Sequence, residues 1–381
     1  MWHYFDDADL AAVKEVLDRG VLGSIGDAPA TRGLEAAFCE EFGSAHALGV
    51  CNAMAGLHSA VAASGAGAGD EVVVDSLVGF GALAVLFNNA IPVFADVRRD
   101  THTMDVESLR SRISERTKAI IVTQLWGLIA DMDEIMAIAK EHDLLVIEDC
   151  AHAIYATYNG KYAGTIGDVG VFSFQESKQL STGDGGIVLF QDPDVGERIN
   201  DMVTFGTMPS RVALNYRITE VMSAIAKVQL GKTPGYVDIC VRSANQFNDA
   251  VAGSPLIAPQ ITPEGRVNTY HLWAATYEGD DQGLPYDDFQ RIAAEQGVNF
   301  MWRYIQQAPY LFDVIREPVA FGRGCPTQCP LRARDISYDE GTCPTAELIM
   351  DRIMLAYTGG DPDANAVTAD GLRKALEIAQ G

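Results

Sequence analysis

The feature that most narrows the fold of this chain is a series of short, unbroken apolar runs set between helix-patterned stretches. Ala47–Cys51, Glu71–Val74, Pro92–Asp96, Ala119–Thr123, Leu144–Ile147 and Gly186–Phe190 are too short for helices and too continuously apolar for half-wet strands. Runs of this kind are strands buried on both faces, as in a parallel sheet covered by helices. Helical patterns fall between them at Ala55–Ser64, Val106–Ile113 and Asp131–Glu141. The alternation predicts a mostly parallel, doubly wound α/β sheet. Two earlier helices, Leu10–Leu17 and Gly33–Phe42, end at Gly20 and Gly43, with a Gly-, Ala- and Pro-rich loop over Val21–Arg32 between them. From about Tyr236 the character changes to a polar helix, a strand near Tyr270–Tyr277, a helix over Tyr286–Gln296 and a last helix over Gly371–Gln380. We therefore expect a large domain over 1–235 and a smaller α+β domain over 236–381.

Open α/β sheets bind ligands at the carboxyl ends of their strands. One such end carries Glu148-Asp149-Cys150-Ala151-His152. Further on come Phe172-Ser173-Phe174-Gln175-Glu176-Ser177-Lys178 and Ser181-Thr182-Gly183-Asp184-Gly185-Gly186. An acid at one strand end and a lysine beyond another, flanked by serine and glycine, meet the needs of pyridoxal 5'-phosphate (PLP). That cofactor requires a lysine amine for a Schiff base and a carboxylate partner for its pyridinium nitrogen. The glycines of Gly65-Ala66-Gly67-Ala68-Gly69-Asp70 look like a dinucleotide fingerprint. They follow a helix and precede a strand, the reverse of the order that motif needs, so they read as a plain turn.

Asp149-x-x-His152, Phe172-Ser173-Phe174-x-x-x-Lys178 and Gly183-Asp184-Gly185-Gly186 together resemble the DegT-type (DegT/DnrJ/StrS) sugar aminotransferases. These are PLP enzymes of the aspartate aminotransferase fold, fold type I. The likeness runs from about Gly23 to Lys227, with an echo at Cys343-Pro344. It implies that Lys178 holds the cofactor and later carries the proton, that Asp149 keeps the pyridine nitrogen protonated, and that His152 orients Asp149 or the ring hydroxyl. Ser173 and the amides of Ala53 and Met54 would hold the phosphate, although the family usually has Gly-Thr where this chain has Ala53-Met54. Ala213–Glu220 resembles a segment lent to the neighbouring subunit, with Asn215 reaching the phosphate of a homodimer's other site. Where the family stacks an aromatic residue on the cofactor ring this chain has Gly79, and Phe80 beside it either stacks or is ordinary core. Gln124, Trp126, Arg217 and Arg303 are candidates for the substrate, the alternatives being core packing for Trp126, a structural ion pair for Arg217 and an ordinary exposed arginine for Arg303. The resemblance implies amino transfer from glutamate or glutamine to a cyclic keto-sugar or cyclitol ketone. Gly127–Asp133 and Cys343-Pro344 look closer to the aminocyclitol and 3-amino-5-hydroxybenzoate branches. PLP-dependent sugar dehydratases carry histidine where this chain keeps Lys178, and a non-catalytic regulator of the same fold needs neither Lys178 nor Asp149.

Charge bears on partners. The 381 residues carry a formal net charge of -24, which argues against nucleic acid and anionic membrane. The same charge disfavours a diphosphate-bearing acceptor unless Arg211, Arg217 or Arg303 gathers at the site. Seven cysteines do not form a disulfide pattern, and Cys325, Cys329 and Cys343 lack a fourth partner for zinc, so no metal is expected. Met1–Asp7 lacks a signal-peptide pattern and no run of ~18 apolar residues occurs, so a cytoplasmic enzyme is the expectation.

Overall fold

The computed structural model describes residues 5–205, 212–317 and 320–380. The apolar runs become β1 (His46–Val50), β2 (Glu71–Asp75), β3 (Ile91–Ala95), β4 (Thr117–Thr123) and β5 (Leu145–Asp149), followed by β6 (Val169–Ser173) and β7 (Gly186–Phe190). They form one sheet in the order β1-β7-β6-β5-β4-β2-β3. Strands β3, β2, β4, β5 and β6 run parallel, and β7 runs antiparallel to both β6 and β1.

Successive strand residues face opposite sides, so each run feeds two cores. Val72, Val74, Ile121 and Ile147 pack on one face with α3 (Ala53–Ala63), α4 (Phe80–Phe87) and a helix over Pro193–Thr204. Val73, Ile120, Val122 and Val146 pack on the other. There they meet helices over Pro29–Phe42, Val106–Arg112 and Met132–His142. This is the doubly wound α/β arrangement that the sequence predicts.

Helix ends follow local chemistry in some places and distant partners in others. The first helix, Asp7–Arg19, starts three residues before its apolar pattern because Asp6 caps it and exchanges hydrogen bonds with Asp9. Pro29–Phe42 starts inside the expected loop. Ala28 offers no side-chain cap, and the buried Glu220 carboxylate accepts the N–H groups of Ala30 (3.0 Å) and Thr31 (2.8 Å) instead. A charged acceptor at a helix start satisfies groups that would otherwise stay unpaired.

Glu220 also opens the longest helix, α5 (Glu220–Val251), which runs unbroken through position 236. Beyond it, β8 (Ile257–Pro259), β9 (Leu272–Tyr277), β10 (Met301–Trp302) and β11 (Ile353–Tyr357) make an antiparallel sheet in the order β8-β9-β11-β10. A third apolar cluster gathers Phe247 of α5, Trp273 and Tyr277 of β9, and Phe289 and Leu372 from helices over Tyr286–Glu295 and Pro362–Gln380. Among the described residues no helix is long and apolar enough to cross a membrane.

Candidate active site

The carboxyl ends of β4, β5 and β6 bring the central residues together. Asp149 is the last residue of β5, paired with Thr123 of β4 and Val171 of β6. It is 3% exposed, and its Oδ1 accepts the Ala151 N–H at 3.1 Å. Burial pushes its pKa up to about 6, while the Ala151 N–H and the charge of Lys178 pull it down and nearby Asp75 pushes it up again. Lys178 lies in the loop beyond β6, its own N–H bonded to the Gln175 carbonyl at 2.8 Å. Burial lowers its pKa to about 8, against the attraction of Asp149. A lysine near that value supplies neutral amine at mildly alkaline pH, which nucleophilic and proton-transfer roles require.

A cradle lies beside this pair. Helix α3 begins at Ala53, and its cap Asn52 occupies only the Ala55 N–H, at 2.8 Å. The first-turn N–H groups of Ala53 and Met54 therefore face outward from a helix start, the usual setting for a phosphate. Ser173, the last residue of β6, pairs with Gly186 of β7. A Cβ on Gly186 would stand 2.6 Å from the Phe172 oxygen and 3.1 Å from the Ala53 nitrogen. Glycine at that position thus lets the helix start and the serine approach each other.

His152 occupies the other flank. Its ring stacks on Trp126 (5.5 Å, 21°) and on His271 (4.2 Å, 26°). Burial, then Lys178 and His271, hold its pKa well below the usual histidine value, so the ring is neutral. His152 Nδ1 and Trp126 Nε1 are buried without a protein partner. Trp126 has φ 63°, a conformation that a bulky residue adopts only when its surroundings impose it. A buried acid, a lysine of lowered pKa, a helix start beside a serine and two unpartnered buried ring nitrogens fit PLP.

His271 was missed from the sequence. It immediately precedes β9, some 120 residues from its stacking partner, and only its place ahead of an apolar strand could have flagged it. Glu148 was missed too. Its buried carboxylate accepts N–H groups of Gly164 (3.0 Å), Ile166 (2.8 Å) and Gly167 (2.7 Å), and so fixes the loop leading into β6.

Two substrate candidates are corrected. Gln124 is fully buried; its Nε2 donates to Glu148 Oε2 (2.9 Å) and its Oε1 accepts the Ala130 N–H (2.8 Å). Its side chain therefore belongs to the core beneath the site. Arg303 donates to Asp287 Oδ1 (2.6 Å) and the Asp351 carbonyl (2.8 Å), with its guanidinium over the Tyr286 ring, so groups beside the antiparallel sheet hold it. Arg217 sits over the Phe205 ring, and its backbone bridges Val50 at the edge of β1. Asn215 is exposed and bridges Thr204. Phe80 is 57% exposed at the first position of α4. Arg211 lies outside the described residues.

Known proteins resemble this chain in sequence and in fold. The sequence pattern described as the DegT/DnrJ/EryC1/StrS aminotransferase family matches residues 4–320. GDP-perosamine synthase of Caulobacter vibrioides is 36% identical over 241 residues, which span 61% of this chain and 65% of that relative's length. The solved structure of DesV from S. venezuelae superposes with a TM-score of 0.83 at 27% identity, covering 97% of this chain and 94% of DesV. 3-Amino-5-hydroxybenzoic acid synthase superposes with a TM-score of 0.85 at 23% identity, covering 100% of this chain and 98% of that one, a likeness of fold.

Proposed function

Because the chain belongs to the DegT/DnrJ/EryC1/StrS aminotransferase family, we propose that it is a PLP-dependent aminotransferase that delivers an amino group to a cyclic, hydroxyl-bearing ketone. The observation that carries the reading is Lys178 with its pKa lowered to about 8 beside a buried Asp149. When bound, PLP supplies an aldehyde carbon to carry the amine and a ring that spreads the charge left by a departing proton.

The chain's own residues supply the rest. The start of α3 and Ser173 hold the phosphate, and Asp149 holds a proton on the ring nitrogen. His152, kept in one orientation by the rings of Trp126 and His271, donates or accepts toward the ring's oxygen. Lys178, neutral when its charge has been shed, takes a proton from substrate on one side and returns it on the other. Trp126, 2% exposed and stacked on His152, screens that flank from bulk water.

Glutamate or glutamine is the proposed donor, and the active form is proposed to be a homodimer. Exposed Phe87 (62%) and Leu214 (37%) flank a cleft of about 540 Å³ beside Tyr216, apolar surface that a second copy would cover with Asn215 at its edge. For the acceptor, GDP-perosamine synthase supports a nucleotide-linked keto-sugar. The engagement of Arg303 by Asp287 removes one cation available to a diphosphate, and this supports a nucleotide-free ketone. The test offers glutamate or glutamine with either a nucleotide-linked 4-keto-sugar or scyllo-inosose and follows the amino product by mass spectrometry. Amino product with neither acceptor, alongside unchanged donor, refutes the reading.

A further inference from the structure

Helix α4 follows the end of β2, which is tied to the strand end that carries Asp149. Asp75 at the end of β2 accepts the N–H groups of Leu77 (3.1 Å) and Val78 (3.2 Å) and the hydroxyl of Thr123, the residue paired with Asp149. These bonds strap the turn Asp75–Gly79 to the same strand-end surface, and Gly79 caps α4. Gly79 has φ -88°, so its backbone has no need of glycine. Space does: a Cβ there would stand 2.8 Å from Cε2 of Phe312. Phe312 comes from a distant part of the chain, between a turn over Pro309–Leu311 and a short helix over Asp313–Arg316. That segment is anchored: Tyr310 is fully buried against Phe94 of β3, with ring centroids 5.4 Å apart, and Leu311 and Val314 pack on the first core. Phe312 itself is half-buried, which leaves part of the ring uncovered.

We infer that Phe312 supplies the flat apolar face against which the cofactor's pyridine ring lies, taking the place that a side chain at position 79 would fill. The inference rests on the PLP reading above. A flat aromatic ring overlapping a heteroaromatic one has a preferred offset geometry that an aliphatic side chain does not reproduce. Phe80, next along the chain, points one helical step away and is 57% exposed. The second half of the chain thus closes a face of a site whose floor belongs to the first.

The test measures PLP binding to full-length protein stripped of cofactor, by equilibrium dialysis. Phe312→Leu, which keeps apolar bulk but loses the flat ring, should weaken binding about two- to twelvefold. Gly79→Phe should also weaken it, because the new ring collides with Phe312. The double variant Gly79→Phe/Phe312→Ala, with the ring moved to the other backbone, should bind more tightly than either Gly79→Phe or Phe312→Ala alone. Wild-type affinity in Phe312→Leu, additive losses in the double variant, or a larger loss in Phe80→Leu than in Phe312→Leu overturns the inference while leaving the PLP reading intact. A wild-type chain that takes up no PLP overturns both.

Discussion

Replacing Asp149 with Asn should make the cofactor-free protein more stable at neutral pH while making it a poorer host for PLP. In the folded chain burial pushes the Asp149 carboxyl up to about 6, above the usual aspartate value of about 3.8. A group whose folded pKa is raised stabilises the fold most below its unfolded value and loses that contribution as pH rises through the folded one. Between pH 3 and pH 8 the wild-type protein should therefore lose about 3 kcal/mol relative to a variant with no proton to shed at this position, about two thirds of it between pH 4.5 and pH 7.5. At roughly 2.1 cal/mol/K of unfolding entropy per residue, a chain of this length converts 3 kcal/mol into about 4 °C. Loss of the attraction to Lys178 takes back part of the gain, since burial is the larger influence on both groups. The assay is differential scanning fluorimetry of stripped wild-type and Asp149→Asn protein at pH 4.5 and 7.5. The variant's advantage should appear only at the higher pH and shrink or reverse when PLP is added, because the ring nitrogen loses its anionic partner. A variant less stable than wild type at pH 7.5 without cofactor would refute the reasoning, as would a difference that does not change with pH.

Other outcomes follow from the same geometry. Glu148→Ala strands the N–H groups of Gly164, Ile166 and Gly167 and the amide of Gln124, and should destabilise the fold by about 3–6 kcal/mol in urea unfolding. In stripped protein, reductive labelling of Lys178 by a small aldehyde should rise through about pH 8 and level off above it; a rise near pH 10 contradicts the assigned burial. Lys178→Ala should fold normally and lose turnover. Mixing it with an inactive Asn215→Ala chain should restore part of the activity if sites are shared between copies, and no rescue in proven mixed dimers removes Asn215 from the partner's site.

What the sequence revealed and what it hid divide along contact range. Asp149 stands at a strand end that an apolar run announces, and Ser173 and Lys178 follow within one short motif, so the grouping of these three residues was legible without coordinates. Gln124 was misread through side-chain direction. Glu148 and Asp149 are neighbours on one strand and point to opposite faces, and Gln124 shares the face of Glu148, whereas Thr123 shares that of Asp149. The cap that Glu220 provides for Ala30 and Thr31, the stack of His271 on His152 and the approach of Phe312 to Gly79 join residues far apart in the chain. No local pattern encodes such pairings, because each depends on how whole elements dock.

Helix α5 links the two halves of the chain without a linker, its one irregularity being Pro234 within the helix. A rod of this kind transmits rotation. Each residue inserted or deleted along it turns everything downstream by about 100° and shifts it by about 1.5 Å. The antiparallel sheet packed on Phe247 is therefore keyed to the length of this helix, whereas the Phe312 segment is held on the first core by Tyr310. Loops elsewhere in the chain are free to lengthen, but α5 is a gauge that evolution and engineering can recut only in near-whole turns.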